Sequence, residues 1–182
     1  MSQKNINLLI GILSPHVEEK PHLDELCFDR LIVKYHNEQN AYQIVRNYFL
    51  EHKEYTHLVI FADDGEVRWS NLFMLVRDIE DHDYPVISGV CCVNMDRKDL
   101  LNICDTMPSR THERRHFDFL NWKDVRGLRK VPYAGFPMMA IRRDIVEQIN
   151  FESENWLAIG NCGGNYDLSF CCRCEDLNIP IY

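Results

Sequence analysis

The segment Leu58-Val59-Ile60-Phe61-Ala62-Asp63-Asp64-Gly65-Glu66 joins a short apolar run to three acidic residues. Four consecutive apolar residues of this kind are typical of a strand covered on both faces of a parallel sheet. In open α/β sheets, ligands bind beyond the carboxyl ends of the strands. Asp63, Asp64 and Glu66 therefore stand where Mg²⁺ or Mn²⁺ and the phosphates of a ligand could bind together. A solvated acidic turn with Asp-Gly at its tip is the alternative interpretation.

Strand and helix patterns alternate on both sides of this segment. This alternation predicts an α/β fold with a mostly parallel central sheet flanked by helices. We predict strands at 6–13, 31–35, 58–61, 86–90, 131–135, 138–141 and from 179 onward, and helices at 40–52, 72–79, 143–149 and 166–175. Residues 95–130 are polar and basic with weak periodicity, which predicts a long, mobile excursion. The 182 residues suit a single domain spanning residues 1–182.

The overall composition excludes several classes of protein. A net charge of −8 argues against an extended nucleic-acid groove, which usually needs a basic face. No run approaches the roughly 20 apolar residues that cross a bilayer, so we expect no transmembrane segment and a cytoplasmic location. The eight cysteines lack zinc-finger spacing and are interpreted as core thiols, although structural disulfides are an alternative.

Several segments, in order, resemble the GT-A glycosyltransferases, especially the inverting family-2 enzymes. Those enzymes carry an Arg-Asn pair in the helix before the strand that ends in their DxD metal motif. The matching segments cover most of the chain, and the resemblance rests on their order rather than on any one motif. They are residues 45–47, 56–64, 85–89, 131–143, 165–171 and 176–181.

The resemblance implies a single GT-A (Rossmann-like) domain with two functional parts. Residues 1–93 would bind the nucleotide-sugar, and residues 94–182 would face the acceptor. Asp64, with Asp63 or Glu66, would hold a divalent Mn²⁺ or Mg²⁺ on the donor diphosphate.

Four further residues have roles in this comparison. Asp167 would be the general base for the acceptor hydroxyl. Ser14 would lie near the nucleobase, and Arg46, with Asn47 beside it, near the nucleotide. The predicted activity is sugar transfer, with inversion, from a nucleotide-diphospho-sugar to a glycan, protein or lipid-linked acceptor.

Other interpretations remain open at this stage. A non-catalytic carbohydrate-binding or assembly module of the same fold is one, because Asp63-Asp64-Gly65-Glu66 departs from DxD and Tyr166 stands where the family usually has Glu. His112-Glu113-Arg114-Arg115-His116 matches the HExxH pattern of zinc peptidases, but its polar flanks do not suit a buried zinc helix. A nucleotidyltransferase is disfavoured because no Gly-rich phosphate loop follows the first strand.

Overall fold

The computed structural model describes residues 6–14, 28–34, 38–62, 69–93, 98–108, 117–136, 138–152 and 166–182. Of Ser14, Glu38, Gln39, Ala62 and Trp69 only the backbone is described. The structure is α/β, with one five-stranded mixed sheet, a small antiparallel sheet and four helices within these ranges.

The central sheet has the strand order β2-β1-β3-β8-β4. Strands β1, β2 and β3 pair in parallel, and β8 pairs antiparallel to both β3 and β4. Four of the five strands thus point the same way, as the sequence predicts for a mostly parallel sheet. The strands are β1 (Leu8–Ser14), β2 (Asp29–Lys34), β3 (His57–Ala62), β4 (Val86–Ser88) and β8 (Met138–Arg142).

Two of the three strands of the second sheet lie within the segment that was predicted to be a mobile excursion, so that prediction is wrong for its described part. The third strand lies within the strand predicted at residues 131–135. The order of this sheet is β6-β5-β7, and both pairings are antiparallel. The two strands in the excursion have five and three residues, which is too short for a periodic pattern to identify from sequence. The three strands are β5 (Leu100–Cys104), β6 (Phe119–Asn121) and β7 (Tyr133–Ala134), with a 3-10 turn at Trp122–Asp124.

Helices cover both faces of the central sheet because successive strand side chains point to opposite faces. On β1, Leu8, Ile10 and Ile12 pack toward α2, whereas Leu9 and Leu13 join the cluster on the face of α1, α3 and α4. The helices are α1 (Glu38–Glu51), α2 (Trp69–His82), α3 (Arg143–Gln148) and α4 (Tyr166–Asp176).

Gly11 allows α1 to approach the sheet closely. A Cβ at this position would lie 2.3 Å from Cγ1 of Val45, a distance that real carbon atoms do not adopt. Val45 is itself buried. The glycine therefore serves packing between β1 and α1.

The predicted last strand is reduced to two isolated bridges, both made by Ile181. Ile181 pairs with Val86 in parallel and with Val131 antiparallel. Backbone hydrogen bonds link Tyr182 to Val86 and Ser88. The segment therefore lies beside β4 at the edge of the central sheet. All four predicted helices are present, with ends that differ by up to three residues.

Candidate functional site

The carboxyl ends of the parallel strands form one edge of the central sheet. β1 ends at Ser14, β2 at Lys34 and β4 at Ser88. Strand β3 ends at Ala62, the residue directly before Asp63 in the sequence. Because β8 runs in the opposite direction, its first residue, Met138, pairs with β3 near this edge. Ligands of open α/β sheets bind at such an edge.

The segment between β7 and β8 is fastened to this edge. The Ser88 hydroxyl donates to the carbonyl oxygens of Gly89 at 3.0 Å and of Gly135 at 3.4 Å. The backbone N–H of Gly89 donates to the carbonyl oxygen of Met138 at 2.8 Å. Gly135, which the sequence placed in the family-like acceptor segment, therefore lies beside the end of β4.

Asp167 lies in the first turn of α4, next to this glycine. Its Oδ2 accepts a hydrogen bond from the Tyr133 hydroxyl at 2.8 Å, and its Oδ1 accepts from the backbone N–H of Leu168 at 2.7 Å. The helix N-terminus stabilises a negative charge at this position. The residue as a whole is only partly buried. Asp167 thus has a defined orientation and still reaches solvent.

Tyr133 is a protonated donor to this carboxylate. Burial, and then the adjacent charge of Asp167, raise the pKa of the Tyr133 hydroxyl far above its ordinary value of 10.0. Its ring packs against Phe117, with the ring centres 5.1 Å apart. The hydroxyl therefore keeps its proton and can donate it to the Asp167 carboxylate.

Asn102 on β5 is a site residue that the sequence analysis did not identify. Its side chain is buried, with 8% of the residue exposed. Its Nδ2 atom has no hydrogen-bond partner within the described part of the chain. A Cβ on Gly135 would lie 3.3 Å from this Nδ2 and 3.5 Å from Oδ2 of Asp167. Asn102, Gly135 and Asp167 therefore lie next to one another. No sequence signal for Asn102 exists, because a single Asn in a short strand has no pattern.

Arg46 contacts the end of another helix. Its Nε donates to the carbonyl oxygens of Val146 at 3.1 Å and Ile149 at 3.2 Å. Its Nη2 donates to the carbonyl oxygen of Glu147 at 3.5 Å. Partial burial lowers the pKa of Arg46, and the charge of Glu152 opposes this effect. These contacts satisfy carbonyl groups at the C-terminus of α3.

Arg143 makes the reciprocal contact. From the start of α3 its guanidinium donates to the carbonyl oxygens of Phe49 at 2.9 Å, His52 at 2.7 Å and Tyr55 at 2.7 Å, which lie at and beyond the end of α1. The guanidinium also lies over the Phe49 ring. Each helix thus caps the other through one arginine. The nucleotide role of Arg46 stays a prediction, as does that of Asn47, which is exposed on α1.

Several predicted site residues lie outside the described residues. These are the proposed metal ligands Asp63, Asp64 and Glu66, and the HExxH segment 112–116. The backbone of Ser14 pairs with Lys34, but its side chain is not described. Within the ranges that are described, no group of three or more His, Cys, Asp or Glu side chains could hold a metal ion. The metal assignment therefore remains a prediction.

A cavity of about 420 Å³ lies against the second half of α4. It contains none of the predicted site residues. The charged groups around it have both signs, and two buried thiols contribute to its wall. Its lining includes Asp105, Lys130, Glu175, Cys171 and Cys174. The Cys171 thiol donates to the carbonyl oxygen of Ala134, on the strand that also carries Tyr133.

The six described cysteines are in the thiol form. Cys104, Cys171, Cys172 and Cys174 are buried, which confirms the core interpretation for these four. Cys91 and Cys92 are exposed, so the prediction of a buried pair is wrong there. Both residues lie in the segment that follows β4 and are exposed to solvent. A Cys-Cys pair is apolar in the sequence, so the sequence does not indicate this exposure.

Comparisons with known proteins identify the fold. No known protein family matches the chain, and no curated protein matches it either. Among solved structures, A197 from STIV superposes with a TM-score of 0.63 and 20% sequence identity. The match covers 93% of this chain and 78% of A197. At this identity the similarity establishes the α/β fold. None of the helices in the described ranges is long and apolar enough to cross a membrane.

Proposed function

We propose that the chain is a metal-dependent, inverting glycosyltransferase that moves a sugar from a nucleotide-diphospho-sugar to an acceptor hydroxyl. The observation that carries this proposal is the position of Asp167. Its carboxylate lies at the carboxyl edge of the sheet, beside Gly135, and is oriented by Tyr133 and the N-terminus of α4. The ordered GT-A-like motifs support the same conclusion, and the α/β fold, which A197 shares, is of the class that the proposal requires.

The proposed reaction is a single displacement. The acceptor hydroxyl gives its proton to Asp167 as its oxygen bonds to the anomeric carbon of the donor sugar. The bond between that carbon and the diphosphate oxygen breaks, and the electron pair leaves with the nucleoside diphosphate. One attack from the opposite side inverts the configuration at the anomeric carbon. A positioned carboxylate base contributes about 10²- to 10⁴-fold to such a step.

The leaving diphosphate is negatively charged and is stabilised by a nearby positive charge. This chain has a net charge of −8, so a bound cation is the expected source. Asp63, Asp64 and Glu66 offer the hard oxygen ligands that Mn²⁺ or Mg²⁺ prefers, and such an ion would neutralise charge on the diphosphate. Ser14, Arg46 and Asn47 are the residues that we assign to the nucleotide in this proposal.

A thermal-shift screen tests donor binding. UDP-, GDP- and dTDP-sugars are each added with Mn²⁺, with Mg²⁺ and with EDTA. A ligand at about 100 times its Kd stabilises a protein by about 2.7 kcal/mol, which for this size raises Tm by roughly 5–10 °C. We expect one nucleotide class to raise Tm and EDTA to abolish the shift. No shift with any donor would instead favour a non-catalytic module of the same fold.

Asp167→Asn tests the catalytic role. Asn keeps an oxygen that can accept from Tyr133 but cannot take a proton from the acceptor. Transfer should fall about 10²- to 10⁴-fold while the donor-induced thermal shift is retained. Asp144→Asn is the matched control, since Asp144 is also an acid in the first turn of a helix, and it pairs with Arg142 away from this site. Undiminished transfer by Asp167→Asn would refute the assignment.

A further inference from the structure

Residues 122–130 connect β6 to β7 and combine exposed apolar side chains with cationic ones. Trp122 and Leu128 are large apolar residues that are 50% and 43% exposed. The segment has a net charge of +3, in a chain whose net charge is −8. Its charged residues are four cations and one acid, namely Lys123, Arg126, Arg129, Lys130 and Asp124. We call residues 122–130 the basic segment.

Three of the cations can reach an anionic partner. Arg129 forms an ion pair with Asp105. Lys123, Arg126 and Lys130 are exposed and form no ion pair in the part of the chain that the structure describes. Charges more than about 8 Å apart are largely screened at physiological salt. The local charge of the basic segment therefore decides what it attracts, in spite of the acidic remainder of the chain.

The backbone of the basic segment is held at both ends. The N–H of Trp122 donates to the carbonyl oxygen of Asp99 at 2.9 Å, and the N–H of Val131 donates to that of Ile181 at 2.9 Å. Between them, the 3-10 turn is closed by a bond of 3.4 Å from the N–H of Val125 to the carbonyl oxygen of Trp122. A partner that binds this surface therefore pays little conformational entropy to order it.

The side chains match the chemistry of a lipid surface. Indole rings favour the boundary between headgroups and acyl chains, and an aliphatic side chain gains free energy by leaving water there. Lysine and arginine keep their charged heads at the headgroups while their methylene stems follow apolar surface. The Nζ of Lys123 lies 5.9 Å from the centre of the Trp122 ring, so both groups can lie at one depth.

A nucleic acid matches the same segment less well. A base could stack on Trp122, and a phosphate could bind Lys123 or Arg126. Leu128 has no function in such a complex, because an aliphatic side chain neither stacks on bases nor binds phosphate. Its exposure on the same segment favours the lipid surface.

We propose that the basic segment binds the surface of an anionic phospholipid bilayer. Trp122 and Leu128 enter the boundary between headgroups and acyl chains. Lys123, Arg126 and Lys130 stay at the level of the lipid phosphates. None of these residues is assigned to the donor, the metal or the catalytic base, so bilayer binding and the proposed glycosyl transfer are tested separately.

Vesicle sedimentation tests this surface. The whole chain is mixed at physiological salt with vesicles of phosphatidylcholine alone, or of phosphatidylcholine and phosphatidylserine in a three-to-two ratio. Each cationic side chain near an anionic surface contributes about fivefold to partitioning, so we expect at least about tenfold stronger binding to the mixed vesicles. Absence of binding to the mixed vesicles, or equal binding to both kinds, would overturn the proposal.

A double variant tests the cations. Lys123→Gln with Arg126→Gln should weaken binding to the mixed vesicles about 25-fold. Lys53→Gln with Arg77→Gln is the matched control, because it removes the same charge at exposed positions on other elements. The control should bind like the wild type. An equal loss in both double variants would show that only the net charge of the chain matters, and would refute the basic segment as the surface.

A second pair of variants tests the apolar contact. Leu128→Ser should weaken binding to the mixed vesicles roughly fivefold or more. Leu177→Ser is the matched control, since Leu177 is an equally large side chain, 50% exposed, just after α4. Thermal melts establish that both variants are folded. Unchanged binding in a folded Leu128→Ser would contradict insertion of the basic segment, and if a variant misfolds, the wild-type comparison of the two vesicle types decides.

A labelled single-stranded oligonucleotide, followed by fluorescence anisotropy at the same salt, tests the other polyanion. We expect no saturable binding. Oligonucleotide binding that Lys123→Gln with Arg126→Gln weakens, without binding to vesicles, would assign the basic segment to nucleic acid and overturn the proposal. No nucleotide-sugar is present in these experiments. Failure of vesicle binding therefore leaves glycosyl transfer standing, and a failed donor screen leaves bilayer binding standing.

Discussion

The Tyr133 hydroxyl donates a 2.8 Å hydrogen bond to Oδ2 of Asp167, across 34 residues of sequence. The contact joins the last residues of the small sheet to the first turn of α4. It fixes the carboxylate that is proposed to take the proton of the acceptor hydroxyl. The orientation of the proposed base therefore depends on a side chain from a different element.

Tyr133→Phe should slow sugar transfer without weakening donor binding. The variant keeps the buried ring but removes one hydrogen bond to the Asp167 carboxylate. Hydrogen bonds to charged groups contribute about 1.5–3 kcal/mol, so we expect kcat to fall roughly ten- to a hundredfold and KM for the donor to stay unchanged. Steady-state transfer assays measure both quantities.

Tyr55→Phe is the matched control for this variant. The Tyr55 hydroxyl also donates to an aspartate, Asp29, but at the amino ends of the parallel strands. Its loss should leave kcat unchanged. Equal kcat values for Tyr133→Phe and wild type would show that the contact has no part in positioning Asp167.

Arg46→Ala and Arg143→Ala should each destabilise the fold, because each leaves carbonyl groups at a helix C-terminus without their donor. Unsatisfied buried groups cost about 1–3 kcal/mol, so Tm should fall by roughly 2–10 °C. Arg77→Ala is the control, since Arg77 makes only an exposed pair with Asp81 among the contacts found for it, and such pairs contribute about 0–1 kcal/mol.

The same variants test the predicted nucleotide role of Arg46. If its function is to cap α3, nucleotide-sugar affinity measured well below Tm should match that of wild type. A loss of nucleotide-sugar affinity with an unchanged Tm would reverse the assignment in favour of the nucleotide. Calorimetric titration of the donor, together with a thermal melt, separates the two outcomes.

Stability should fall at alkaline pH because the folded state holds protons that the unfolded state releases. Burial raises the pKa of the Cys104 and Cys174 thiols from 9.0 to about 12, and that of the Tyr55 hydroxyl from 10.0 to about 12. A group with a raised pKa in the folded state contributes stability that is complete below its unfolded pKa. That contribution is lost as pH rises toward the folded pKa, here between about pH 9 and 12.

Urea unfolding from pH 8 to 10.5 under reducing conditions measures this dependence. Each such group adds a slope of up to about 1.4 kcal/mol per pH unit. Cys174→Ala should reduce the slope, although the cavity it creates also lowers stability at every pH. Cys92→Ala, at an exposed position, should leave the slope unchanged. A slope that is the same in Cys174→Ala and wild type would contradict the prediction.

Alkylation should distinguish two classes of cysteine. Cys91 and Cys92 are exposed and should react with N-ethylmaleimide in the native protein. Cys104 and Cys171 are buried, and burial raises the pKa of both thiols, so they should react only after unfolding. Peptide mapping by mass spectrometry after a short native pulse reads out each site. Native labelling of Cys171 would contradict the burial found here.

The central sheet and its helices could be predicted because their signals are local. An apolar run such as the one predicted at 6–13 fits a strand covered on both faces, and apolar spacing of three and four residues fits α1 and α2. The small sheet as a whole could not be predicted, although the predicted strand at 131–135 contains its strand β7. Its strands are short, and β5 reaches its partners β6 and β7 only through pairings distant in sequence.

The site was predictable only in part. Asp167 stands out as an acid at the start of a helix within a family-like segment, and the structure places it at the carboxyl edge. Asn102 does not stand out, because only three-dimensional packing brings its amide beside Gly135 and Asp167. For Arg46, the sequence motif suggested a contact with the nucleotide. In the structure, its guanidinium donates hydrogen bonds to carbonyl oxygens at the end of α3.

The sequence by itself determined the order of the central strands and of the helices, the acidic residues after β3 and the acid that begins α4. These features follow from the periodicity of the apolar residues and from which residue types are adjacent in the sequence. Only the tertiary structure decided that β8 enters the sheet antiparallel between β3 and β4, and that Asn102, Gly135, Tyr133 and Asp167 meet. The physical reason is that these contacts join residues far apart in the chain. Their free energy depends on how whole elements pack, which no local pattern encodes.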